Sequence, residues 1–259
     1  MPLDITKSPR VLVTAAGGGA GRVIAARFAQ AGARVVACDI DGAGLWSLEA
    51  EVAGIKGIEA DVGDETAVGT VFDHVDAALG GLDVLVNNAG IAGPTAAAED
   101  VSLADWNESL RVNLTSHFLY ARAAIPAMKA QGSGLIVNIS SGSAKVGLPM
   151  RLPYVVTKGA VLSMTTNLAR ELGPFGIRVN AILPGAIRGP RIERIIKAKA
   201  EALGVEPREH EKNMLRYISM RTMVEPDDIA AMIQFLASPA GSRVSGQLIG
   251  VDGNIEWEE

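Results

Sequence analysis

Short apolar runs alternate with stretches of helical spacing along most of the chain. Since a strand buried inside a parallel sheet reads as a continuous apolar run, these runs predict strands over 10–14, 33–38, 82–86, 134–139, 177–183 and 247–251. Apolar positions three or four residues apart predict helices over 22–30, 64–79, 104–129, 154–172 and 226–236. Pro126 is expected to interrupt the third of these helices near its end.

The order of these elements predicts the class of fold. Strands that alternate with helices form βαβ units, which place parallel strands in one sheet with helices on both faces. The chain is therefore expected to adopt a doubly wound α/β fold. No Ser-, Pro- or Gly-rich linker divides it, so 1–259 is expected to be a single domain. The charged, helical segment 187–223 is predicted to be an insertion over the sheet.

Composition and charge narrow the class of protein. The chain has 259 residues, of which 48% are hydrophobic and 20% charged, an ordinary balance for a globular protein. A net charge of −5 argues against a nucleic-acid partner. No apolar run is long enough to span a bilayer, and the first ten residues lack a signal-peptide pattern. A cytoplasmic protein without a membrane partner is expected.

Neither cysteine redox chemistry nor metal binding is indicated by the sequence. Cys38 is the single cysteine, so an intrachain disulfide is impossible. It lies in a strand-like run, which predicts a buried, inert thiol. His74, His117 and His210 lack the spacing of metal ligands, and no metal site is expected.

A glycine-rich turn follows the first predicted strand, in the run Thr14-Ala-Ala-Gly-Gly-Gly-Ala-Gly21. Glycines at this place let the backbone approach a pyrophosphate, and the N-terminus of the next helix favours its negative charge. The turn therefore predicts dinucleotide binding in a Rossmann-like fold.

A carboxylate, Asp39, ends the second predicted strand about 20 residues beyond the turn. It can accept hydrogen bonds from an adenosine ribose and would repel a 2′-phosphate. No Arg or Lys lies between Ala15 and Gly21. Both features favour NAD over NADP as the cofactor. Alternatively, Asp39 begins a turn with Ile40 and Asp41 and has no further role.

Tyr154 and Lys158 are four residues apart in a predicted helix and so share one face of it. A free phenol is a poor acid or base at neutral pH. A nearby ammonium stabilises the phenolate form. The pair therefore has the parts of a general acid/base, although the same spacing also occurs on solvated helices.

Further motifs follow in a fixed order, and together they resemble one known family. They are Asp61-Val62, Asn87-Asn88-Ala89-Gly90, Arg111-Val112-Asn113, Asn138-Ile139-Ser140-Ser141-Gly142, Leu183-Pro184-Gly185 and Val251-Asp252-Gly253-Asn254. With the glycine turn and the tyrosine–lysine pair, they make the chain from about residue 10 to 254 similar to the short, single-domain branch of the short-chain dehydrogenase/reductase family.

The resemblance implies a catalytic set. Asn113 would hold a water in a proton relay, and Ser141 would bind the substrate oxygen. Tyr154 would exchange a proton with the substrate oxygen, and Lys158 would stand beside Tyr154. On the residues alone, Asn113 could instead face solvent in the middle of a helix, and Ser140 and Ser141 could merely end a strand.

The resemblance also implies an NAD(H) site and an assembly. The cofactor residues would be Thr14, Gly17, Gly19, Ala20, Gly21, Asp39, Ile40, Asp61, Val62, Asn88, Ala89, Gly90, Tyr154, Lys158, Pro184, Gly185 and Ile187. Similar chains usually form homotetramers through the helices at 104–129 and 154–172. Small residues there suit close helix packing between or within subunits: Ala121, Ala123, Ala124, Ala160 and Ala169.

Three positions depart from the family pattern. Ala15 replaces the first glycine of the turn, and Asn254 stands where glycine is common. The family's threonine after Pro-Gly is missing, since Ala186 and Ile187 follow Gly185. The backbone of Ile187 could contribute to the nicotinamide contact in its place.

The substrate side carries several basic residues. Ser143, Arg151, Arg188 and Arg191 are candidate substrate contacts, and the arginines suit a carboxylate, phosphate or sulfonate group. The alternative, which we favour, is a solvated pair of helices, because glutamates nearly balance the bases of this segment.

The predicted reaction is hydride transfer between NAD(H) and a secondary alcohol or ketone, a small-molecule substrate whose identity the sequence does not give. Two alternatives remain. One is an NADPH-dependent 3-oxoacyl-thioester reductase, against which Asp39 counts. The other is a non-catalytic dinucleotide sensor or assembly subunit, which would not need the full catalytic set.

Overall fold

Seven parallel strands form one sheet in the computed structural model, which describes residues 8–255 except the side chains of residues 191 and 202. The strands are β1 (Arg10–Thr14), β2 (Arg34–Asp39), β3 (Ile55–Glu59), β4 (Val84–Asn87), β5 (Gly134–Ile139), β6 (Ile177–Pro184) and β7 (Leu248–Val251). Their order in the sheet is β3-β2-β1-β4-β5-β6-β7, with every neighbouring pair parallel. The predicted fold class, a doubly wound single domain, is confirmed.

Ten α-helices connect or cover these strands within the described residues. They are α1 (Gly19–Gln30), α2 (Gly42–Glu51), α3 (Glu65–Leu79), α4 (Leu103–Leu110), α5 (Ser116–Gln131), α6 (Ser143–Val146), α7 (Leu152–Leu172), α8 (Pro190–Leu203), α9 (Pro207–Leu215) and α10 (Pro226–Ala237). A π-helical segment, Arg111–Thr115, joins α4 to α5. Over the described part of the chain, no helix combines the length and apolar character needed to cross a bilayer.

Each face of the sheet is buried in an apolar cluster, so the sheet has two such clusters. Side chains alternate between the faces of a sheet, so Val11 and Val13 pack with α1, α2 and α10, whereas Leu12 packs with α3 and α5. All three residues are fully buried. Burial on both faces explains why the central strands read as unbroken apolar runs.

The sequence prediction missed α2 and β3. The β3 residues are half-polar, and Gly57 lies within it because an added Cβ would be 3.2 Å from the Cβ of Leu45. This strand lies at the edge of the sheet, where the continuous apolar pattern of the central strands is not required. In α2, apolar residues are not confined to one face, so helical periodicity gave no signal.

Helix irregularity was predicted at the wrong place. The expected interruption at Pro126 does not occur, since α5 continues through it to Gln131. The missing N–H costs one helical hydrogen bond, and the buried Ala121, Ala124 and Met128 hold that turn against the sheet. The real irregularity is the π-helical segment that begins fifteen residues earlier, at Arg111.

The segment 187–223 lies outside the seven strands and is held by two isolated bridges: one pairs Ile218 with Ile255 in antiparallel fashion, and the other closes the segment at its ends. Ile187 and Val224 form a parallel bridge, with Arg188 N donating to Val224 O (2.8 Å) and Val224 N to Ala186 O (2.9 Å). The helices α8 and α9 lie between Ile187 and Val224 in the chain, after the carboxyl end of β6.

Candidate active site

A cleft opens where the strand order reverses, between β1 and β4. In open α/β sheets this switch point, at the carboxyl ends of the strands, is where ligands bind. A cavity of about 430 Å³ lies there. Nine of the residues assigned to catalysis or cofactor by resemblance line it together with Ser141: Gly19, Ala20, Asn88, Gly90, Tyr154, Lys158, Pro184, Gly185 and Ile187.

A second cavity, of about 520 Å³, lies between α1 and α10. Its walls are Pro9, Phe28, Ala31, Ala33, Gln234, Phe235, Ala237 and Ser238, none of which is ionisable. Because its lining holds no acidic or basic side chain, the chemistry is assigned to the cleft at the switch point.

The glycine turn forms a cradle at one end of the cleft. A Cβ on Gly21 would lie 2.0 Å from the Ala15 carbonyl oxygen, so this position requires glycine. Gly18 precedes α1 without any side-chain cap on the first N–H groups of the helix, and a Cβ there would meet nothing. An uncapped helix N-terminus facing open space fits the pyrophosphate of a dinucleotide.

Asp39 ends β2 beside this cradle, and its carboxylate holds two backbone groups. Gly17 N donates to Oδ2 at 2.8 Å, and Asp41 N donates to Oδ1 at 3.0 Å. Asp39 therefore begins the turn, as the alternative interpretation held, and it also stands at the place expected of a ribose-binding carboxylate. Ile40 beside it is 69% exposed.

Thr14 and Asn88 join the two strands at the switch point. The buried Thr14 hydroxyl accepts hydrogen bonds from the N–H groups of Asn88 (2.9 Å) and Ala89 (3.1 Å). The Asn88 amide donates to the carbonyls of Thr14 and Ala15, each at 3.1 Å. Thr14 thus supports the cleft from beneath the turn and does not line the cavity.

Ala15 holds a left-handed conformation (φ 52°), which explains the glycine of the family at this position. A Cβ in this region costs about 1–2 kcal/mol. The second departure, Asn254, has φ 61°, and asparagine tolerates this region better than alanine does.

Ala15→Gly is expected to raise the free energy of unfolding by about 1 kcal/mol, because relief of the strain exceeds the added chain entropy. Urea unfolding measures the change. Ala16→Gly is the matched control, since Ala16 is buried and does not have positive φ, and this variant should be destabilised. Equal destabilisation of both variants would contradict the strain at Ala15.

Tyr154 and Lys158 lie one turn apart on α7, and both line the cavity. Lys158 is 3% exposed, and its Nζ donates to the Ile139 carbonyl oxygen at 2.8 Å. A Cβ on Gly90 would lie 3.1 Å from this Nζ, so glycine lets the ammonium pack against the backbone after β4. The ammonium is thereby held on the phenol side of the helix.

Ser140 and Ser141 have different surroundings. The Ser140 hydroxyl donates to the Lys158 carbonyl oxygen (2.7 Å) and is buried, so it fixes β5 to α7. The Ser141 hydroxyl lies 2.9 Å from the Ser143 hydroxyl, and both serines line the cavity. Ser140 also lines the cavity, but its hydroxyl is bonded to a backbone carbonyl, whereas that of Ser141 is bonded to the hydroxyl and the N–H of Ser143.

Asn113 is fully buried in the π-helical segment, so the interpretation of a solvent-facing residue was wrong. Its Oδ1 accepts from Ile91 N (2.7 Å), and its Nδ2 donates to Ile91 O (3.0 Å) and the Thr157 hydroxyl (3.2 Å). Asn113 thus fixes the loop after β4 and contacts the turn between Tyr154 and Lys158. Single π-helical turns are frequent at functional sites.

His117 lies one turn beyond Asn113 and was given no role by the sequence reasoning. Its Nε2 is 3.1 Å from the Ala89 carbonyl oxygen, and the ring is buried. Burial, with the nearby positive charge of Lys158, lowers the pKa of His117 to about 3. The neutral ring therefore supports the Asn88–Gly90 backbone without placing a second cation beside the ammonium. A histidine within a helical pattern gives no signal of such a place.

Asp61 and Val62 follow β3, at the same edge of the sheet as Asp39. Val62 is 8% exposed and packs in the apolar cluster. Partial burial opposes ionisation of Asp61, but hydrogen bonds from Gly63 N and Arg111 outweigh it and lower the pKa of this carboxyl. Asp61 is therefore a fixed carboxylate.

The candidate substrate residues divide into two groups. The Arg188 guanidinium binds Glu225 (2.8 Å) and lies 3.7 Å from Glu211. This pairing favours the solvated-helix interpretation. Arg151 donates to the Ala92 carbonyl oxygen (2.7 Å), with its Cζ 5.4 Å from the centre of the Tyr154 ring. The side chain of Arg191 lies outside what the structure describes.

Apolar residues complete the substrate end of the cavity, and the sequence reasoning missed them. Leu148, Ile192 and Ile195 line it together with Ser143, Arg151 and Arg188. The spacing of Ile192 and Ile195 on α8 was a usable signal, because side chains three apart share a helix face. The strongly charged surroundings masked it.

Cys38 is buried as predicted, with its Sγ 3.2 Å from the Tyr120 hydroxyl. Burial raises the pKa of the thiol to about 12. The thiolate is the reactive form, so this environment disfavours reaction at Cys38.

Comparison with known proteins agrees with this geometry. A model of the family described as Enoyl-(Acyl carrier protein) reductase matches residues 15–254. The 3-oxoacyl-[acyl-carrier-protein] reductase of Thermotoga maritima is 36% identical over 248 residues, which cover 94% of this chain and 96% of that protein. The D-threitol dehydrogenase of Mycolicibacterium smegmatis is 35% identical over 255 residues, 93% of this chain and 90% of that one.

A solved structure extends the likeness to three dimensions. The crystal structure of NAD⁺-bound xylitol dehydrogenase matches with a TM-score of 0.89 and 30% identity, covering 96% of this chain and 100% of that chain. Both the family model and the relatives span nearly the whole chain, as the motifs predicted. The chain therefore belongs to the short-chain dehydrogenase/reductase family of oxidoreductases.

Proposed function

We propose that the protein is an NAD(H)-dependent oxidoreductase that interconverts a secondary alcohol and a ketone. One observation carries the proposal: Ser141, Tyr154 and Lys158 line a single cavity whose cofactor end is the glycine cradle held by Asp39. The xylitol and threitol dehydrogenases among the similar proteins support an alcohol substrate, as their names state.

The cofactor would lie across the carboxyl edge of the sheet. A bound nicotinamide dinucleotide would supply the hydride donor or acceptor. The cradle from Gly17 to Gly21 would hold its pyrophosphate, Asp39 the adenosine ribose, and the Asp61–Val62 turn the adenine. Pro184, Gly185 and the backbone of Ile187 would lie beside the nicotinamide.

The residues of the chain would manage the proton. In oxidation, Tyr154 takes the proton of the substrate hydroxyl, and in reduction it returns one to the carbonyl oxygen. Lys158, one turn along α7 and bonded to the Ile139 carbonyl oxygen, would stand beside that phenol. Ser141 donates a hydrogen bond to the substrate oxygen, where negative charge develops. Asn113 fixes the Ile91 loop and would organise a water between Lys158 and solvent.

NAD is proposed as the preferred cofactor because Asp39 would repel a 2′-phosphate. The second candidate is an NADPH-dependent 3-oxoacyl-thioester reductase, favoured by the similarity to a 3-oxoacyl-[acyl-carrier-protein] reductase. A solved 3-ketoacyl-(acyl-carrier-protein) reductase complexed with NADH also resembles this chain. Because a reductase of this kind was solved with NADH, the substrate class and the cofactor preference need separate tests.

Asp39→Ser is expected to reverse this preference. Loss of the carboxylate removes the ribose acceptor and the charge repulsion, so NADH should bind about tenfold more weakly and NADPH more tightly. Fluorescence titration with both nucleotides measures the ratio of dissociation constants. Asp41→Ser is the matched control, because Asp41 caps α2 and does not hold the glycine turn. An unchanged ratio in Asp39→Ser would exclude Asp39 as the selecting group.

A non-catalytic sensor is the candidate from another class. The buried, hydrogen-bonded state of Lys158 and Asn113 counts against it, because burying these groups has a cost that nucleotide binding alone does not require. Turnover would exclude the sensor function.

The protein is further proposed to be a cytoplasmic homotetramer, with the single domain carrying its own lid. The segment 187–223 would cover the substrate, since Ile192 and Ile195 of α8 face the cavity. Ala121 and Ala124 are buried inside the subunit, so they would not form the contact between subunits. Phe118, Leu152 and Val156 are exposed large side chains of α5 and α7, and a neighbouring subunit would cover them instead. Light scattering measures the size of the assembly, and a monomer would contradict this proposal.

A further inference from the structure

Arg111 begins the π-helical segment and binds two carboxylates. Its Nη1 donates to Asp61 Oδ2 at 2.8 Å. Its Nε and Nη2 donate to the two oxygens of Glu108 at 2.7 and 2.8 Å. The double contact to Glu108 fixes the plane of the guanidinium, so its third donor points in a set direction.

The turn after β3 is shaped around this guanidinium. A Cβ on Gly63 would lie 2.3 Å from Arg111 Nη1, so the arginine packs against a position that has no side chain. Gly63 N donates to the other oxygen of Asp61, Oδ1, at 2.9 Å. Both oxygens of Asp61 are thereby fixed, and Val62 packs in the same apolar cluster as Val112.

Asp61 follows β3, the neighbour of the strand that ends at Asp39. In the sheet, Glu59 of β3 lies opposite Asp39 of β2, and Ala60 N donates to the Asp39 carbonyl oxygen at 2.8 Å. The turn that follows thus emerges beside the carboxylate assigned to the ribose. A carboxylate has about four acceptor positions, of which Gly63 and Arg111 use two.

We propose that Arg111 is a positioning residue for the adenine of the cofactor. It fixes the Asp61 carboxylate so that its remaining acceptor positions face the 6-amino group of the ring. The same five-residue segment carries Asn113, which holds the Ile91 loop. The π-helical segment would therefore fix residues at both the adenine end and the catalytic end of the cleft. This inference rests on the proposed function, since it requires a dinucleotide in the cleft.

The test is an equilibrium fluorescence titration of the purified protein with NADH and with reduced nicotinamide hypoxanthine dinucleotide. In the latter, a carbonyl replaces the 6-amino group. The wild type should prefer NADH by about tenfold, because the Asp61 carboxylate would face a carbonyl oxygen in the analogue. Arg111→Met should weaken NADH binding about tenfold and bring the ratio of the two dissociation constants close to one. Arg111→Lys should restore part of the ratio, since it retains one charged donor.

Arg122→Met is the matched control, because Arg122 on α5 is exposed and is ion-paired with Glu65 of α3. It should leave both constants unchanged. If Arg111→Met weakens both ligands equally and keeps the wild-type ratio, Arg111 only stabilises the fold and the proposal is overturned. A wild type that binds neither nucleotide would overturn the proposed function, and the inference with it, before any variant is compared.

Discussion

Tyr154→Phe is expected to lower kcat by about 10²–10⁴, the usual contribution of a positioned acid/base. The phenol ring remains, so the wall of the cavity and the packing of α7 are preserved. Lys158 keeps its bond to the Ile139 carbonyl oxygen. Binding of NADH should therefore stay close to that of the wild type. Steady-state kinetics with NAD⁺ and a panel of secondary alcohols, together with an NADH titration, measure the two effects.

A matched variant separates this effect from the loss of any tyrosine hydroxyl. Tyr217 is one of three tyrosines in the chain, is 42% exposed, and is not among the residues of the 187–223 segment that line the cavity. Tyr217→Phe should leave kcat within about twofold of the wild type, as surface changes usually do. If Tyr154→Phe and wild type turned over equally, the proton would be handled by another group and the sensor function would return to consideration.

The second large effect is a loss of stability in mild acid caused by His117. Its pKa is about 3 in the folded protein and about 6.5 when unfolded. Below the unfolded value, the unfolded chain takes up a proton that the folded chain excludes, so stability falls as the pH falls. The loss begins near the unfolded pKa and levels off near the folded one. Between about pH 7 and pH 5 it amounts to about 2 kcal/mol.

His117→Gln should remove most of this pH dependence. The glutamine amide can still donate to the Ala89 carbonyl oxygen, and it does not titrate. Carboxylates with lowered pKa values, such as Asp83 and Asp61, change the stability only at lower pH. The pH dependence between pH 7 and pH 5 is therefore assigned to His117. Urea unfolding across the window measures the slope for both proteins. The same slope in wild type and variant would contradict the assignment.

The central features of the fold were predictable because burial on both faces of the sheet leaves a strong pattern. Val11 to Val13 must be apolar on both sides, so β1 could be read directly. The edge strand β3 has Lys56 and Gly57 in its middle, and local pattern cannot distinguish it from a loop. The adjacent helix α2 was missed for a similar reason. Its apolar residues do not mark one face, so the packing of neighbouring elements determines its structure more than local pattern does.

The candidate site divides in the same way. Tyr154 and Lys158 are neighbours on one helix, so spacing along the chain placed them together. Arg111 and Asp61 are fifty residues apart, and His117 reaches Ala89 from another element. Contacts of this kind depend on tertiary packing, and the sequence held no pattern for them. The choice of Ser141 over Ser140 came from the family resemblance, and the two hydrogen-bond environments now give it a physical reason.

The measurement that tests the account most directly is a paired titration of the wild type with NADH and NADPH, followed by fluorescence at equilibrium. The carboxylate of Asp39 at the end of β2, held against Gly17 N, predicts tight binding of NADH and much weaker binding of NADPH. Tighter binding of NADPH would contradict the role given to Asp39 and favour the NADPH-dependent reductase.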